Sequence, residues 1–494
     1  MRRKCLLTAL FLLGLSVATA AQTRDENWSK CKADDPDTSI AGCTALIQAN
    51  QETTTDLASV YYNRGIAYND KKDYDSALKD FDEALRLNSN FPSALNSRGN
   101  AYAGKGDNDR AIEDYNECLR LDPNHALAYY NRGNAWGHKN DYDRAIEDYN
   151  QYLKLAPTDP DGFNNRGHAY LEKGQYDQAL NDFNQALHLN PNHDLATYNH
   201  GLTESDKHQY DQALADFTHY TALKPDDPDG FASRGSAYRH LGQYEQAIAD
   251  YNHALELKSD YSLAYYYLGI TYGVEGQYDT AITDMSKYIG MAPTDADGFL
   301  NRGTEYYEKG QYALSIADFD KALELQPNHA YTFFDRGCAH FLAGQTSEAA
   351  TDFELSIGVD PSASPAVYSA LWLHLAKKRL HEEDADTLAR VAGKANLSVW
   401  PGPALKLYLG QATDDEVMTA AGNPDPQTQK QQVCEANFYT AENALLHQRR
   451  TTALARLRAA RDGCPKDYIE YAGSILEIKH MAAAPPRAKS PVRR

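Results

Sequence analysis

The sequence predicts an all-α protein: a right-handed α-solenoid of stacked helical hairpins, closed by helical caps at its N- and C-terminal ends. Three observations predict it. Nine consecutive segments of 34 residues run without insertion or deletion over residues 58–363. A glycine stands at position 8 of every segment: Gly65, Gly99, Gly133, Gly167, Gly201, Gly235, Gly269, Gly303 and Gly337. A small residue follows twelve positions later each time, from Ala77 to Ala349, with Ser315 in the eighth segment. A unit this short cannot bury its apolar face alone and must stack on its neighbours.

Residues 1–20 read as a secretory signal peptide, with Arg2, Arg3 and Lys4 before the apolar run Leu6 to Val17 and small residues Ala18, Thr19 and Ala20 at the cleavage site. No cysteine follows that site, so the expectation is a periplasmic or secreted protein without a lipid anchor or membrane span. The net charge of −20 becomes −23 once those three cations are removed. Such acidity disfavours nucleic acid or an anionic membrane as main partner. Residues 21–57 form an N-terminal cap with a short helical pattern around Ile40, Cys43, Ala45 and Ile47, and a bridge Cys31–Cys43 is expected there, as an oxidising compartment allows.

Within each segment of residues 58–363, two helices are expected at positions 1–14 and 18–31. Glycine at position 15 of six segments (Gly106, Gly174, Gly242, Gly276, Gly310 and Gly344) ends the first helix as a left-handed cap. Proline at position 32, as in Pro123 and Pro157, ends the second. Gly at position 8 and Ala at position 20 let the two backbones approach. Aromatics at positions 4, 11, 17 and 24 (Tyr129, Trp136, Tyr142 and Tyr149 in the third segment) fill the surrounding core. This pattern resembles the tetratricopeptide repeat, which implies a superhelix whose first helices line a concave groove. Position 7, an apolar residue in that family, is Arg in seven segments, and position 23 is Asp in all nine. The match predicts a bidentate Arg–Asp pair joining first helix to second.

A second period of 68 residues lies beneath the first. Position 27 is Tyr in segments three, five and seven (Tyr152, Tyr220 and Tyr288), and ten residues after each comes Gly162, Gly230 or Gly298. A large side chain facing a missing one keeps the packed volume constant. The same alternation places Tyr62, Tyr130, Tyr198, Tyr266 and Phe334 at position 5. In the family that this resembles, positions 2, 5, 9 and 12 face the groove. Two readings of this ladder stand: a surface that grips a partner polypeptide, and packing between segments along the inner wall. Segment five is irregular, with Thr197, His200 and Glu204 at positions 4, 7 and 11, and His200 is placed to pair with Glu204 one turn away.

After Ala363 the period breaks. Residues 364–433 read as an irregular helical segment, with Thr413 and Glu416 forming a capping box. Regular spacing returns in residues 434–480, a degenerate repeat-like C-terminal cap whose Cys434 and Cys464 fall at the adjacent open ends of a helical hairpin and are expected to bridge. Cys118 and Cys338 sit in different segments and are expected to be buried thiols. Residues 481–494 are Pro/Ala-rich and basic and are expected to form a disordered tail. Leu371-Trp372-Leu373-His374-Leu375-Ala376, Tyr408-Leu409-Gly410, Asn437-Phe438-Tyr439 and Ile469-Glu470-Tyr471 resemble NlpI-like periplasmic tetratricopeptide proteins. That resemblance implies a scaffold docking cell-wall hydrolases or a processing protease, with a homodimer as its assembly.

No catalytic constellation, metal-ligand spacing or cofactor motif emerges, so the expectation is a non-enzyme without cofactors. The leading functional reading is an exported protein–protein interaction scaffold with partner polypeptides in its groove, in envelope or cell-wall maintenance. The alternative is a carbohydrate- or peptidoglycan-binding module that stacks sugars on the tyrosine ladder.

Overall fold

A computed structural model describes residues 23–361, 364–466 and 468–483. The signal-peptide reading of residues 1–20 and most of the basic tail lie outside the described residues. The chain forms two compact units, one ending at Leu241 and the other starting at Gly242. Both are helical hairpins packed in sequence order, so the solenoid architecture read from the 34-residue period is the architecture found.

In the first unit, the third segment shows how each hairpin is made. Its first helix is Ala126–His138, capped by His125 Nδ1 accepting from the Ala128 N–H, and its second is Tyr142–Leu155, capped by Asp141. The second helix thus starts one residue earlier than the sequence suggested, because the position-16 side chain is the N-cap. Position 15 is left-handed whether or not it is glycine: φ is 81° at Gly106 and 67° at Gly174, but also 59° at Asn140 and 60° at Lys72. A Cβ at Gly133 would lie 2.8 Å from Tyr149 Cε1, so the ring at position 24 occupies the space that the missing side chain leaves. Of the four aromatics expected in the core, only Tyr149 is buried; Tyr129, Trp136 and Tyr142 are half-buried. Two of these three rings lie under arginines instead, Arg132 over Tyr129 at 5.6 Å and Arg144 over Trp136 at 3.8 Å.

The Arg–Asp pairs form in both units. Arg64, Arg98, Arg132 and Arg166 bind Asp80, Asp114, Asp148 and Asp182 through two parallel hydrogen bonds each, and Arg302 and Arg336 bind Asp318 and Asp352 likewise. In segment five His200 replaces the arginine and its Nδ1 lies 2.7 Å from Asp216. The expected His200–Glu204 pair is therefore absent: the aspartate sixteen residues on captures the imidazole, and Glu204 is buried with Oε2 unpartnered.

At the ends, both disulfides are present, Cys31–Cys43 with Cα atoms 4.5 Å apart and Cys434–Cys464 with Cα atoms 4.9 Å apart. Cys118 and Cys338 are buried free thiols. The Thr413–Glu416 capping box opens helix Asp414–Ala420. Helix Pro426–Leu446 runs through the boundary placed at residue 434, and helix Ile469–Ala483 extends past the boundary placed at 480. Met481 is buried in that helix rather than part of a tail, because its apolar side chain joins the C-terminal core.

Candidate functional site

The site follows from what the first helices present at positions 2, 5, 9 and 12. In the first unit, Tyr62, Tyr130 and Tyr198 are half-buried. Tyr130 lies 5.0 Å from the Tyr152 ring and Tyr198 4.8 Å from Tyr220, while Tyr62 lies 4.8 Å from Phe91. The hydroxyls of Tyr152 and Tyr220 donate to the N-cap carboxylates of Asp159 and Asp227. Burial and the neighbouring carboxylates hold both phenols well above the usual range. Each Tyr ring fills the space over the following glycine, where a Cβ on Gly162 or Gly230 would come within 2.7 Å.

The polar edges of the ladder converge on asparagines. Asn165 Nδ2 donates to the Tyr130 hydroxyl at 2.9 Å and to Asn134 Oδ1 at 3.0 Å, and the Tyr149 hydroxyl donates to the same Oδ1 at 2.7 Å. The Tyr198 hydroxyl meets Ser233 Oγ at 3.1 Å. Each ladder ring pair thus lies within one segment, while the Asn165–Tyr130 and Tyr198–Ser233 hydrogen bonds cross to the next segment.

A second row at position 2 was not singled out from the sequence. Leu127 and Leu195 are 56% and 55% exposed in the first unit, and Leu263 and Tyr331 are 44% and 52% exposed in the second. They recur every 68 residues, with Asp161, Asp229 and Asp297 at the same position of the intervening segments. The signal was the alternation already used for position 5.

In the second unit, Tyr266 lies 5.0 Å from Tyr288 and repeats this arrangement. Phe334 does not. It packs beside Phe353 and Tyr368 and lines a cavity of about 200 Å³ with Tyr307, Asp335, Cys338 and Ile469. Burial pushes the Asp335 carboxyl up to about 7. Phe341, at position 12 of the same segment, meets Trp372 edge-on at 5.0 Å and carries Arg379 over its ring at 4.0 Å. Positions 5, 9 and 12 of segment nine are therefore covered by the chain's own C-terminal helices.

Those helices hold buried carboxyls that the sequence reading missed. Glu435 and Glu442 lie on Pro426–Leu446, Glu470 and Glu477 on Ile469–Ala483, and all four are less than a tenth exposed. Glu435 accepts from the Tyr368 hydroxyl at 3.0 Å and Trp400 Nε1 at 2.9 Å; Glu470 accepts from the Tyr439 hydroxyl at 2.6 Å. Arg379 binds Glu477. Burial, and then the facing carboxylates Glu470 and Glu477, push Glu435 and Glu442 up to about 8. Among the described residues no helix is long and apolar enough to cross a membrane, and no group of three or more His, Cys, Asp or Glu side chains is placed to hold a metal.

The tetratricopeptide-repeat family matches residues 58–91, 160–193 and 296–329, in the phase of segments one, four and eight. Further repeats of that description match residues 96–160 and 235–273. No curated protein matches the chain. Among solved structures the chain is similar to YrrB, described as a TPR protein with an unusual peptide-binding site, at 26% identity over 37% of this chain and 95% of that one, with a TM-score of 0.33. It is similar to MamA at 25% identity over 33% and 94%, TM-score 0.31. A tetratricopeptide repeat protein from Parabacteroides merdae ATCC 43184 is 22% identical over 47% and 93%, TM-score 0.40.

Proposed function

Because the chain is a tetratricopeptide-repeat protein, we propose that it is an exported, non-enzymatic scaffold that binds partner polypeptides along the first-helix face and serves in envelope or cell-wall maintenance. The observation that carries this reading is the pairing of two rows on that face: the tyrosine–asparagine line at positions 5, 6 and 9, and the exposed Leu127 and Leu195 at position 2. A polypeptide offers backbone amides to the first and apolar side chains to the second. Sugar stacking fits less well, since the ladder rings are already packed against Tyr152 and Tyr220. Export is supported by the two disulfides, which persist in oxidising compartments.

Cross-linking and pull-down from envelope extracts, run beside sedimentation with purified peptidoglycan, test the reading. Cell-wall hydrolases and proteases are the partners to look for first, and a homodimer the assembly. Capture that is lost in Leu127→Asp/Leu195→Asp supports the scaffold; wall binding that survives removal of protein would overturn it in favour of a glycan-binding module.

A further inference from the structure

An open-sided cavity of about 500 Å³ lies between the irregular region and the first helix of the C-terminal hairpin. His374, only 5% exposed, lines it from helix Ser364–Leu380, and its ring stacks on Tyr408 with centroids 4.5 Å apart and planes 23° apart. His374 Nδ1 lies 2.9 and 3.1 Å from the two oxygens of Asp384, itself 7% exposed. That contact occupies one ring nitrogen and leaves Nε2 for the cavity. A second imidazole, His447, lines the same cavity, and its Nδ1 lies 2.8 Å from the Asn443 carbonyl. A carbonyl only accepts, so that Nδ1 carries the proton and Nε2 is left as an acceptor.

The side-chain donors around the cavity already have partners, Lys378 within the lining itself. Lys378 Nζ donates to Glu383 at 3.0 Å, the Tyr408 hydroxyl to the Tyr439 carbonyl at 3.2 Å, and Asn443 Nδ2 to Asp414 at 2.7 Å. Lys378 offsets Glu383, so the lining keeps the net negative charge of Asp384. Its acceptors are two imidazole Nε2 atoms and the lone pairs of Glu383 and Asp384 not used by Lys378 and His374, above walls of Leu388, Leu407 and Leu446. The N-terminus of helix Ala385–Ala392 borders the cavity at Ala385, but Asp384 and Asp386 set carboxylates against its partial positive charge. A ligand complementary to this lining donates hydrogen bonds, carries positive charge and has an apolar stem.

We propose that this cavity binds an alkylammonium or alkylguanidinium group. The group is either a free amine or the Lys or Arg side chain of a partner polypeptide, and the two sources share the same chemistry.

The test uses the full chain labelled at histidine ¹³Cε1, titrated separately with n-butylammonium, N-acetyl-lysine methylamide and, as a control, butanoate. Saturable shifts of the His374 and His447 resonances with either amine, and none with butanoate, are expected. Binding of both amines points to a free amine, and binding of the lysine amide alone to a polypeptide side chain. His447→Ala, at an exposed position, keeps the fold and weakens binding roughly tenfold, the worth of one hydrogen bond to a charged group. No saturable shift, an equal response to butanoate, or unchanged affinity in both His447→Ala and Glu383→Gln would overturn the proposal. Stoichiometric Zn²⁺ binding that displaces the amine would overturn it too, giving the imidazoles to a metal.

Discussion

Arg98 holds Asp114 through Nε at 2.8 Å and Nη2 at 2.7 Å, and its remaining Nη1 reaches back to Asp82 of the preceding segment at 2.7 Å. The same third contact runs from Arg132 to Asn116 and from Arg166 to Asn150, and Arg64 makes it to Thr44 of the N-terminal cap. One guanidinium thus fastens its own hairpin and the one before it. Asp114 is 5% exposed, so removing its partner strands a carboxylate in the core. Arg98→Ala is expected to cost about 3–5 kcal/mol, the range for breaking a buried pair. Urea unfolding followed by circular dichroism measures it; a loss below about 1 kcal/mol would place the pair with ordinary surface bridges.

Gly162→Ala places a Cβ 2.7 Å from Tyr152 Cε1. The expected loss is about 1–3 kcal/mol, as for overpacking a full core. Tyr152→Leu alone also destabilises, by leaving space over Gly162, whereas the double variant recovers part of the loss. A double-mutant cycle decides this, and simple additivity of the two losses would show that ring and glycine are uncoupled.

Separating Cys434 and Cys464 opens a link spanning 30 residues. Loop-closure entropy puts its contribution at roughly 3–4 kcal/mol. The Cys434→Ser/Cys464→Ser variant is expected to lower the melting temperature of the C-terminal cap, read by near-ultraviolet circular dichroism from Trp372 and Tyr439. Equal melting in the presence and absence of reductant contradicts the assignment.

The buried carboxyls make the cap sensitive to alkali. Glu435 and Glu442, pushed up to about 8 chiefly by burial, keep protons in the folded cap that the unfolded chain releases near the ordinary value of about 4.3. Arg379 opposes the shift at Glu442, and Trp400 and Tyr368 oppose it at Glu435. Between those limits the folded state binds more protons, so stability is greatest at the acid end and declines as pH rises toward about 8. Thermal melts from pH 5 to 8.5 should show the decline, and Glu442→Gln should flatten it and stabilise the cap at pH 8. A melting temperature that climbs across this range would refute the linkage.

The parts legible in the sequence were those that recur. Periodicity exposed the hairpins, the Arg–Asp pairs and the Tyr152–Gly162 fit, because each is written several times at fixed offsets. At position 8 it pointed to Ala at position 20, whereas the Tyr149 ring at position 24 is what meets Gly133. The third arginine contact was hidden because position 25 varies: Asp82 and Asp320, Asn116 and Asn150, and Ser286 all accept from it, so no one residue type marks the position. The cap was hidden for a different reason. Its Glu435, Glu442, Glu470 and Glu477 occur once each and read as solvent-facing helix positions until the fold brings two helices together. The His374–Asp384 contact spans a helix end and a turn, where no period applies.

The alternation of Tyr152, Gly162, Tyr220 and Gly230 gives the array a parity. Excising residues 160–193 would bring Tyr152 against Ala196, a side chain where the ring needs none. Excising residues 160–227 would bring it against Gly230 again, with Asp159 still in place to receive the hydroxyl. Lengthening or shortening such an array one hairpin at a time breaks its grammar, and two at a time preserves it. The heritable unit of growth is then the hairpin pair, although the backbone repeats with every hairpin.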